Sequence, residues 1–419
     1  MQRVVSSVLA CGMLAAIVPV KAGDWNQFRG PDGQGHAPGP LPTKWDATTN
    51  ITWRKEIPGL GWSSPVIAAG KIYLTTAVPL KTGGPSLRAL ALDALTGAVL
   101  WNQEVFVEDA NAPKPHKKNS HASPTPVVEA GMVYVHFGHM GTACLRAQDG
   151  TKVWATQDHS YAPMHGNGGS PILVGDRLIF SADGLDKQHI IALEKSTGKL
   201  AWKTPRKGIT GLPFSFSTPL VITVNGQQQI ISVGSSVVLA LEPKTGREIW
   251  RVSFGKGYSV VPKPIYANGL VYICTGYTTP TLLAIRPDGQ GDVTQTHVAF
   301  TVKKNVPLNP SLLAVGDAIY MVSDSGVLTC LDGKTGAERW SERIGGAFSA
   351  SPIYAGGRVY LLDEAGTTTI FTPGDKFELV ATNKLGERSL ASFAVDGQAL
   401  FVRTEKALYR IEAKSSPKK

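Results

Sequence analysis

One eleven-residue motif recurs along the chain and limits what the chain can fold into. It places an acidic residue, a Thr-Gly pair and a tryptophan at fixed spacing, as in ALEPKTGREIW at 240–250. Near copies stand at 91–101, 192–202 and 330–340. Glycine adopts a positive φ without a Cβ clash, and the acidic residue and the threonine can hydrogen-bond the turn backbone. The motif therefore predicts a tight, bulged hairpin turn, followed by a strand that carries the tryptophan.

A second pattern precedes each Thr-Gly turn and sets the number of repeats. It is a strand, a glycine-containing turn and a second alternating strand, and it begins near residues 63, 123, 169, 217, 262, 309, 350 and 391. The fourth strands end at Trp53, Trp101, Trp154, Trp202, Trp250, Phe300, Trp340 and about Val380. These positions lie 40 to 53 residues apart, which is the size of a four-stranded blade. The chain is therefore predicted to be all-β, an eight-bladed β-propeller with four antiparallel strands in each blade.

The two ends of the repeat array predict how the ring closes. The eighth copy ends after its third strand, at 406–413, and an unmatched strand-like segment, 51–57, precedes the first copy. We expect this N-terminal strand to become the fourth strand of the last blade, which joins both ends of the chain in one sheet. The tryptophans are expected to pack between neighbouring blades, where each buried indole contributes a few kcal/mol.

The segments outside the repeats predict export. We expect a signal peptide at 1–22, an N-terminal extension at 23–50, the propeller at 51–413 and a basic tail at 414–419. Residues 1–22 have an early Arg3, an apolar run and a small-residue exit at Ala22, which are the features of a cleaved secretory signal. Bulky Leu9 just before Cys11 disfavours lipoprotein anchoring. The sequence thus predicts a periplasmic or secreted protein.

The net charge indicates which class of partner to expect, and the cysteine content indicates whether disulfide bonds stabilise the fold. Removing residues 1–22, which carry Arg3 and Lys21 and no acidic residue, lowers the formal charge from +10 to +8. In an exported protein this excess favours an anionic surface or a glycan over nucleic acid as a partner. Cys144, Cys274 and Cys330 remain, an odd number without a close pair, so no disulfide framework is expected.

The repeated string A-L-D/E-x-x-T-G-x-x-x-W resembles the quinoprotein, or PQQ-like, β-propeller repeat over about residues 51–413. Members of that group include the pyrroloquinoline-quinone (PQQ) alcohol dehydrogenases and the smaller BamB-type outer-membrane assembly lipoproteins, both eight-bladed. The stretches at 24–35, 116–127, 165–171 and 214–219 are similar to secreted PQQ-like repeat proteins of bacteria such as planctomycetes and acidobacteria. The resemblance implies the fold and does not decide between catalysis and binding.

The resemblance also implies where a cofactor would lie. The dehydrogenases hold PQQ on the propeller axis under adjacent cysteines, beside a calcium or lanthanide ion bound by Glu, Asn and Asp. This sequence has no Cys-Cys pair and no CxxCH haem motif. We therefore expect no cofactor, with PQQ and calcium as the alternative.

A cluster of histidines raises the question of a metal site. Six of the nine histidines fall within 50 residues around the second blade, and His136 and His139 are spaced to lie on one rim of it. No compact metal-binding spacing such as HExxH is present. We expect these histidines to be loop and turn residues and predict no metal site.

The segments just before the innermost strands are the best candidate for a binding site, since these strand starts ring one mouth of the channel in a propeller. The candidate ligand-binding residues are Trp62, Asn119, His121, His165, Asn167, Phe216 and Tyr258. The alternative is that such groups only satisfy turn backbone and channel water. Loop 107–121, the longest connection between blades, either overhangs this mouth or lies as a surface loop.

The predicted function is a non-catalytic, monomeric, exported scaffold that binds a protein or a component of the cell envelope. The regular ring, the missing cysteine pair and the lack of a recognisable nucleophile or phosphate-binding motif favour it. Two alternatives stay open. One is a PQQ-dependent dehydrogenase of alcohols or sugars, and the other is a glycan-binding module in which Trp62 or Phe216 contributes to polysaccharide retention.

Overall fold

The structure, a computed structural model, describes residues 24–413 as a ring of short antiparallel strands. The predicted signal peptide (1–22) and basic tail (414–419) lie outside the described residues. Within 24–413 the chain forms eight sheets, each containing four antiparallel strands. The prediction of an eight-bladed β-propeller is confirmed.

Each blade runs from an inner strand beside the channel to an outer strand at the rim. Blade 1 is Val66–Ala68, Lys71–Val78, Ser86–Asp93 and Val99–Val107, and blade 2 is Val127–Glu129, Met132–His136, Thr142–Arg146 and Lys152–Thr156. Blade 3 is Ile172–Val174, Arg177–Asp183, Gln188–Glu194 and Leu200–Pro205, and blade 4 is Leu220–Val224, Gln227–Val233, Val237–Leu241 and Glu248–Ser253. Blade 5 is Ile265–Ala267, Leu270–Cys274, Leu282–Ile285 and Val298–Val302, and blade 6 is Leu313–Val315, Ala318–Val322, Val327–Asp332 and Glu338–Arg343. Blade 7 is Ile353–Ala355, Arg358–Leu362, Thr367–Thr372 and Glu378–Lys384, and blade 8 is Ala394–Asp396, Ala399–Arg403, Ala407–Ile411 and Ile51–Glu56.

Two short strands add to these sheets. Gly291–Asp292 runs parallel to the outer strand of blade 4, and His36–Ala37 runs parallel to the inner strand of blade 7. The helical turn at Gly138–Met140 is three residues long. Within 24–413 no helix has the length and apolar character needed to cross a membrane.

Blade 8 is closed by both ends of the chain, as predicted. Ile51–Glu56 pairs antiparallel with Ala407–Ile411. Arg54 Nε donates to Tyr409 Oη over 3.0 Å, and Arg54 Nη2 donates to Glu387 Oε1 over 3.0 Å. The N-terminal strand is therefore held by its backbone pairing, by Tyr409 of the neighbouring strand and by Glu387 of the connection before blade 8.

The Thr-Gly turn receives the aromatic residue of the preceding blade. In blade 1, Gly97 has a φ of +72°, and a Cβ added to it would lie 2.8 Å from the Trp53 ring. Trp53 Nε1 donates to Ala94 O, and the Thr96 hydroxyl donates to Asp93 over 2.8 Å. The same ring-against-glycine contact joins Trp101 to Gly150, Trp154 to Gly198, Trp202 to Gly246 and Phe300 to Gly336. The motif therefore connects neighbouring blades, as predicted: the aromatic ring of one blade packs against the glycine turn of the next.

The hydrophobic core lies between the blades. Ala89 and Ala91 of blade 1, for example, pack in one cluster with Val133 and Val135 of blade 2. Cys144, Cys274 and Cys330 are buried free thiols in three different blades, so the described residues contain no disulfide framework, as expected.

The N-terminal extension occupies one end of the central channel, a placement that the sequence did not predict. We call residues 25–37 the plug. The plug contacts the channel-facing edges of five inner strands. Trp25 pairs with Ile67, and Asn26 O accepts a hydrogen bond from Val128 N. Gln34 Oε1 accepts from Tyr266 N, Gly35 O accepts from Tyr354 N, and His36 Nε2 contacts Ala314 O. The plug thus satisfies edges that would otherwise be unpaired at the channel end where the inner strands finish.

Candidate functional site

Seven hydroxyl groups and one lysine ring the channel just before the inner strands. We call these eight residues the hydroxyl ring. The backbone N–H of one blade donates to the hydroxyl of the next, from Ser64 to Thr125, Thr125 to Ser170, Ser170 to Thr218, Lys263 to Ser311, Ser311 to Ser351, Ser351 to Ser392 and Ser392 to Ser64, over 2.9–3.1 Å. The bond from Ser392 to Ser64 closes the circle. In blade 5, Lys263 stands at the position that a hydroxyl residue occupies in the other seven blades, so the series of hydroxyl contacts is interrupted between Thr218 and Lys263.

A cavity of about 370 Å³ lies on the mouth side of this ring. Phe28 of the plug lines it, and the hydroxyl groups of Ser64, Ser170 and Ser351 belong to its wall. The channel is therefore closed on the plug side and reached from the mouth.

The cavity has one aromatic wall, built by blades 4 and 5. The rings of Phe214 and Phe216 are centred 5.8 Å apart, Phe214 and Tyr258 5.5 Å apart, and Tyr258 and Tyr277 6.1 Å apart. His165 approaches Phe214 edge-on at 5.5 Å. Tyr277 is 43% exposed, so this wall continues to the surface. Such a surface favours a flat or apolar group of a ligand.

Trp62 adds an unpaired donor to the opposite side of the cavity. Its side chain is buried, and its indole Nε1 has no acceptor among residues 24–413. The guanidinium of Arg388 lies 5.3 Å from the centre of its ring. Since buried donors are normally paired, an acceptor from a ligand would satisfy this indole.

Loop 107–121 crosses the mouth, and we call it the strap. His116 N and Asn119 Nδ2 both donate to His165 O, over 3.1 and 2.9 Å. On the far side Lys118 Nζ donates to Glu364 Oε1 over 2.7 Å, and Arg388 Nη2 donates to Lys117 O over 2.8 Å. Burial raises the pKa of the Glu364 carboxyl, but Lys118 and Ser349 outweigh it, so the pKa lies below its usual value. Of the two expectations for this loop, the one that places it over the mouth is confirmed.

A buried carboxylate anchors the start of the strap. Glu108 is 3% exposed; it contacts His121 Nδ1 through Oε2, and Oε1 lies 3.1 Å from His139 Nε2. Burial raises the pKa of Glu108, but the two imidazoles more than offset this and lower it to about 2. In residues 24–413 no group of three His, Cys, Asp or Glu side chains could hold a metal ion. His136 is buried away from this cluster, with its pKa lowered by burial to about 3.

The structure brings five of the seven candidate residues into the cavity wall: Trp62, Asn119, His165, Phe216 and Tyr258. His121 is turned towards Glu108 instead. Asn167 is buried, donates to Phe137 O over 3.3 Å and accepts from Tyr161 Oη over 3.0 Å. Both side chains make contacts within the protein, and neither belongs to the cavity wall.

Sequence reasoning also missed residues that line the cavity. Phe28 arrives from the plug and Tyr277 from a turn of blade 5, while Lys118 comes from the strap. One usable signal was present, because the glycine-rich stretch FRGPDGQG matches no repeat and therefore needed a separate place in the fold.

The residues present do not fit a calcium-bound quinone. Calcium takes six to eight oxygen ligands, usually with carboxylates among them. No aspartate or glutamate belongs to the cavity wall among residues 24–413. The nearby Glu364 is bonded to Lys118 and Ser349, and Asp324 to Leu308 N and Asn309. No quinone chemistry is therefore derived from this site.

Comparison with known proteins matches the family model described as "Outer membrane protein assembly factor BamB" to residues 44–186, 162–301 and 297–376. The BamB of Alkalilimnicola ehrlichii is 26% identical over 43% of this chain and 50% of its own length. The lupanine 17-hydroxylase (cytochrome c) of a Pseudomonas species is 23% identical over 77% of this chain and 53% of its own length. The chain thus spans about half the length of these curated relatives. The crystal structure of BamB from Moraxella catarrhalis superposes with a TM-score of 0.57 and 14% identity, covering 82% of this chain and 95% of that one, which supports the fold alone.

Proposed function

Since the chain belongs to the BamB family, we propose that it is an exported, non-catalytic scaffold that binds a protein of the cell envelope at the channel mouth. Relatives named as outer membrane protein assembly factors support a partner-binding role at the level of the family. The predicted signal peptide supports export.

The asymmetry of the channel is the observation that carries this proposal. One end is filled by the plug, whereas the other opens through a cavity whose wall includes aromatic side chains that do not follow the repeat. Residues that merely build a propeller recur from blade to blade, as the ring-against-glycine contacts do at five of the blade junctions. Phe216, Tyr258 and Trp62 occur once each, so a specific contact explains them better than architecture does.

The cavity suggests the chemistry of the contacting segment. An apolar or aromatic side chain of the partner would stack against Phe216 and Tyr258. A carbonyl or other acceptor of the same segment would take the free indole N–H of Trp62. A loop or terminus that enters the mouth beneath the strap can supply both groups.

The proposal is tested by recovering partners of the tagged protein from envelope extracts after crosslinking. The test variant is Phe216→Ala. The matched control is Phe377→Ala, a half-buried phenylalanine that packs on Trp340 and Phe371 in blade 7, away from the mouth. We expect the first substitution to reduce recovery of a specific protein at least tenfold, or about 1.4 kcal/mol of binding free energy, and the second to leave it unchanged. Equal recovery with both variants would contradict binding at the mouth.

Cofactor and glycan binding are tested with the same purified proteins. We expect no saturable micromolar binding of PQQ with calcium and no dye reduction with alcohols or sugars. Tight quinone binding with turnover would overturn the non-catalytic assignment. Retention on a polysaccharide column that is lost in Phe216→Ala, without any protein partner, would replace the protein partner with a glycan.

A further inference from the structure

Two cations are buried next to each other in the plug region. Arg29 of the plug is 1% exposed, and Lys263, the odd member of the hydroxyl ring, is 3% exposed. Cβ atoms added to two nearby plug glycines meet these groups: one on Gly33 would clash with Lys263 Nζ, and one on Gly35 would lie 2.8 Å from Arg29 Nη2. Both groups therefore pack against the same short stretch of the plug, and the charge of Arg29 acts directly on Lys263.

Within residues 24–413, only one nitrogen of the Arg29 guanidinium group has a hydrogen-bond acceptor. Nη2 donates to Gln34 O over 2.6 Å. Nε and Nη1 are buried and have no acceptor among residues 24–413. The Arg29 backbone also has a φ of +67°, a conformation that is strained for a residue other than glycine. The fold therefore holds this arginine in a strained conformation with two donors free in the interior.

Lys263 is similarly short of partners. Its Nζ makes a long contact of 3.5 Å with Phe28 O. Burial, and then repulsion by Arg29, lower the pKa of this lysine to about 7. At the other seven positions of the ring a small hydroxyl suffices, so the ring itself does not require a cation here.

Among residues 24–413 no carboxylate forms an ion pair with either group. Asp32 is the acidic residue whose charge acts on both, but its side chain is 38% exposed. Its oxygens accept from Gln34 N over 2.8 Å and contact His36 Nδ1 over 2.8 Å. Burying a cation without a paired charge costs several kcal/mol, and here two such cations share one site.

We propose that Arg29 and Lys263 bind a small inorganic anion inside the channel, between the plug and the hydroxyl ring. Arg29 Nε and Nη1 donate to the anion, and Lys263 Nζ supplies the second positive charge. Gly33 and Gly35 leave the space in which these two groups approach each other. The anion fastens the plug to blade 5, and this site is independent of partner binding at the mouth.

The direct test is a crystal of the full-length mature protein grown or soaked in bromide. Anomalous scattering should reveal a bromide within hydrogen-bonding reach of Lys263 Nζ and of Arg29 Nε or Nη1. A well-diffracting crystal in bromide that has no anomalous peak between these side chains would overturn the proposal. This test needs no variant, so it decides the question even if substitutions impair folding.

A second test measures the melting temperature against chloride concentration at constant ionic strength. Lys263→Met removes the buried charge with little change in length, and Lys81→Met removes one exposed charge as the matched control. We expect the wild type and Lys81→Met to gain ~1 °C for each tenfold rise in chloride above its dissociation constant, and Lys263→Met to gain less than half of that. The same chloride dependence in all three proteins would contradict the anion site.

Discussion

The same eight inner strands surround both ends of the channel, but different residues cover the two ends. At the plug end, Trp25, Asn26 and Gly35 pair with the backbone edges of inner strands, and Trp25 is 2% exposed. At the mouth, the buried indole N–H of Trp62 lacks an acceptor and Tyr277 is 43% exposed. At one end the backbone edges of the inner strands are thus paired by the chain itself, whereas the other end keeps an exposed aromatic surface that a second molecule can contact. The contrast separates a stabilising surface from the one at which we propose that a partner binds.

The largest expected effect is on the plug. Trp25→Ala removes a buried indole that packs against Gly30, and it should cost about 3–5 kcal/mol of unfolding free energy. Chemical denaturation measures this loss. Partner recovery per folded molecule should be unchanged, because Trp25 lies at the other end of the channel. A variant that kept full stability but lost the partner would reverse the roles assigned to the two ends.

A smaller effect is expected at the anchor of the strap. Glu108→Gln should cost ~2 kcal/mol, because the buried contacts with His121 and His139 lose their negative charge. Glu108 titrates near pH 2 when folded and near 4.5 when unfolded. Its stabilisation is therefore complete above pH 4.5 and is lost as the pH falls towards 2.

Denaturation curves recorded between pH 2 and 7 test this account of Glu108. The slope of stability against pH should be shallower in Glu108→Gln than in the wild type. Glu56→Gln, at a carboxylate that is 83% exposed, serves as the control and should follow the wild type. Identical acid profiles for wild type and Glu108→Gln would exclude this role.

The smallest effect on stability is expected across the mouth. Lys118→Met breaks the bond to Glu364, and a partly exposed ion pair contributes at most ~1 kcal/mol. The strap should nevertheless loosen, so that hydrogen exchange of amides in 107–121 becomes several-fold faster. Lys114→Met, at an exposed lysine of the same loop, should leave the exchange rates as they are. Unchanged exchange in Lys118→Met would mean that Glu364 does not fasten the strap.

The fold could be predicted because its joints are local and repeated. Gly97 and Asp93 lie within one turn, and the same turn chemistry recurs with the period of a blade. The closure by Ile51–Glu56 followed from counting strands, since one strand was missing at one end and one was left over at the other. Neither inference needed knowledge of contacts between distant residues.

The site was only partly predictable because its remaining parts depend on long-range pairings. Phe216 and Tyr258 stand directly before or near inner strands, and topology alone brings such positions to the mouth. His121 has the same local setting but turns to Glu108, and nothing in its neighbouring sequence indicates that pairing. Phe28 reaches the cavity only because the plug folds back into the channel.

The sequence of blade 5 differs from that of the other blades at Lys263, and the structure shows what this difference means. Inner strands begin with strings such as SSP, STP and ASP, whereas blade 5 begins with PKP. Within the repeat this lysine looks like an exposed substitution. The hydrogen bonds of the hydroxyl ring show that its position faces inward, and its burial makes the substitution informative.

The central claim, that the mouth and not the plug end receives the partner, is tested most directly by site-specific photo-crosslinking in cells. A photoreactive residue is placed at Phe216, in the cavity wall, or at Gln227, which is exposed beside the plug end in blade 4. Binding at the mouth predicts a defined adduct from position 216 that excess unlabelled wild-type protein suppresses, and none from position 227. The same adduct from both positions, or from position 227 alone, would contradict it.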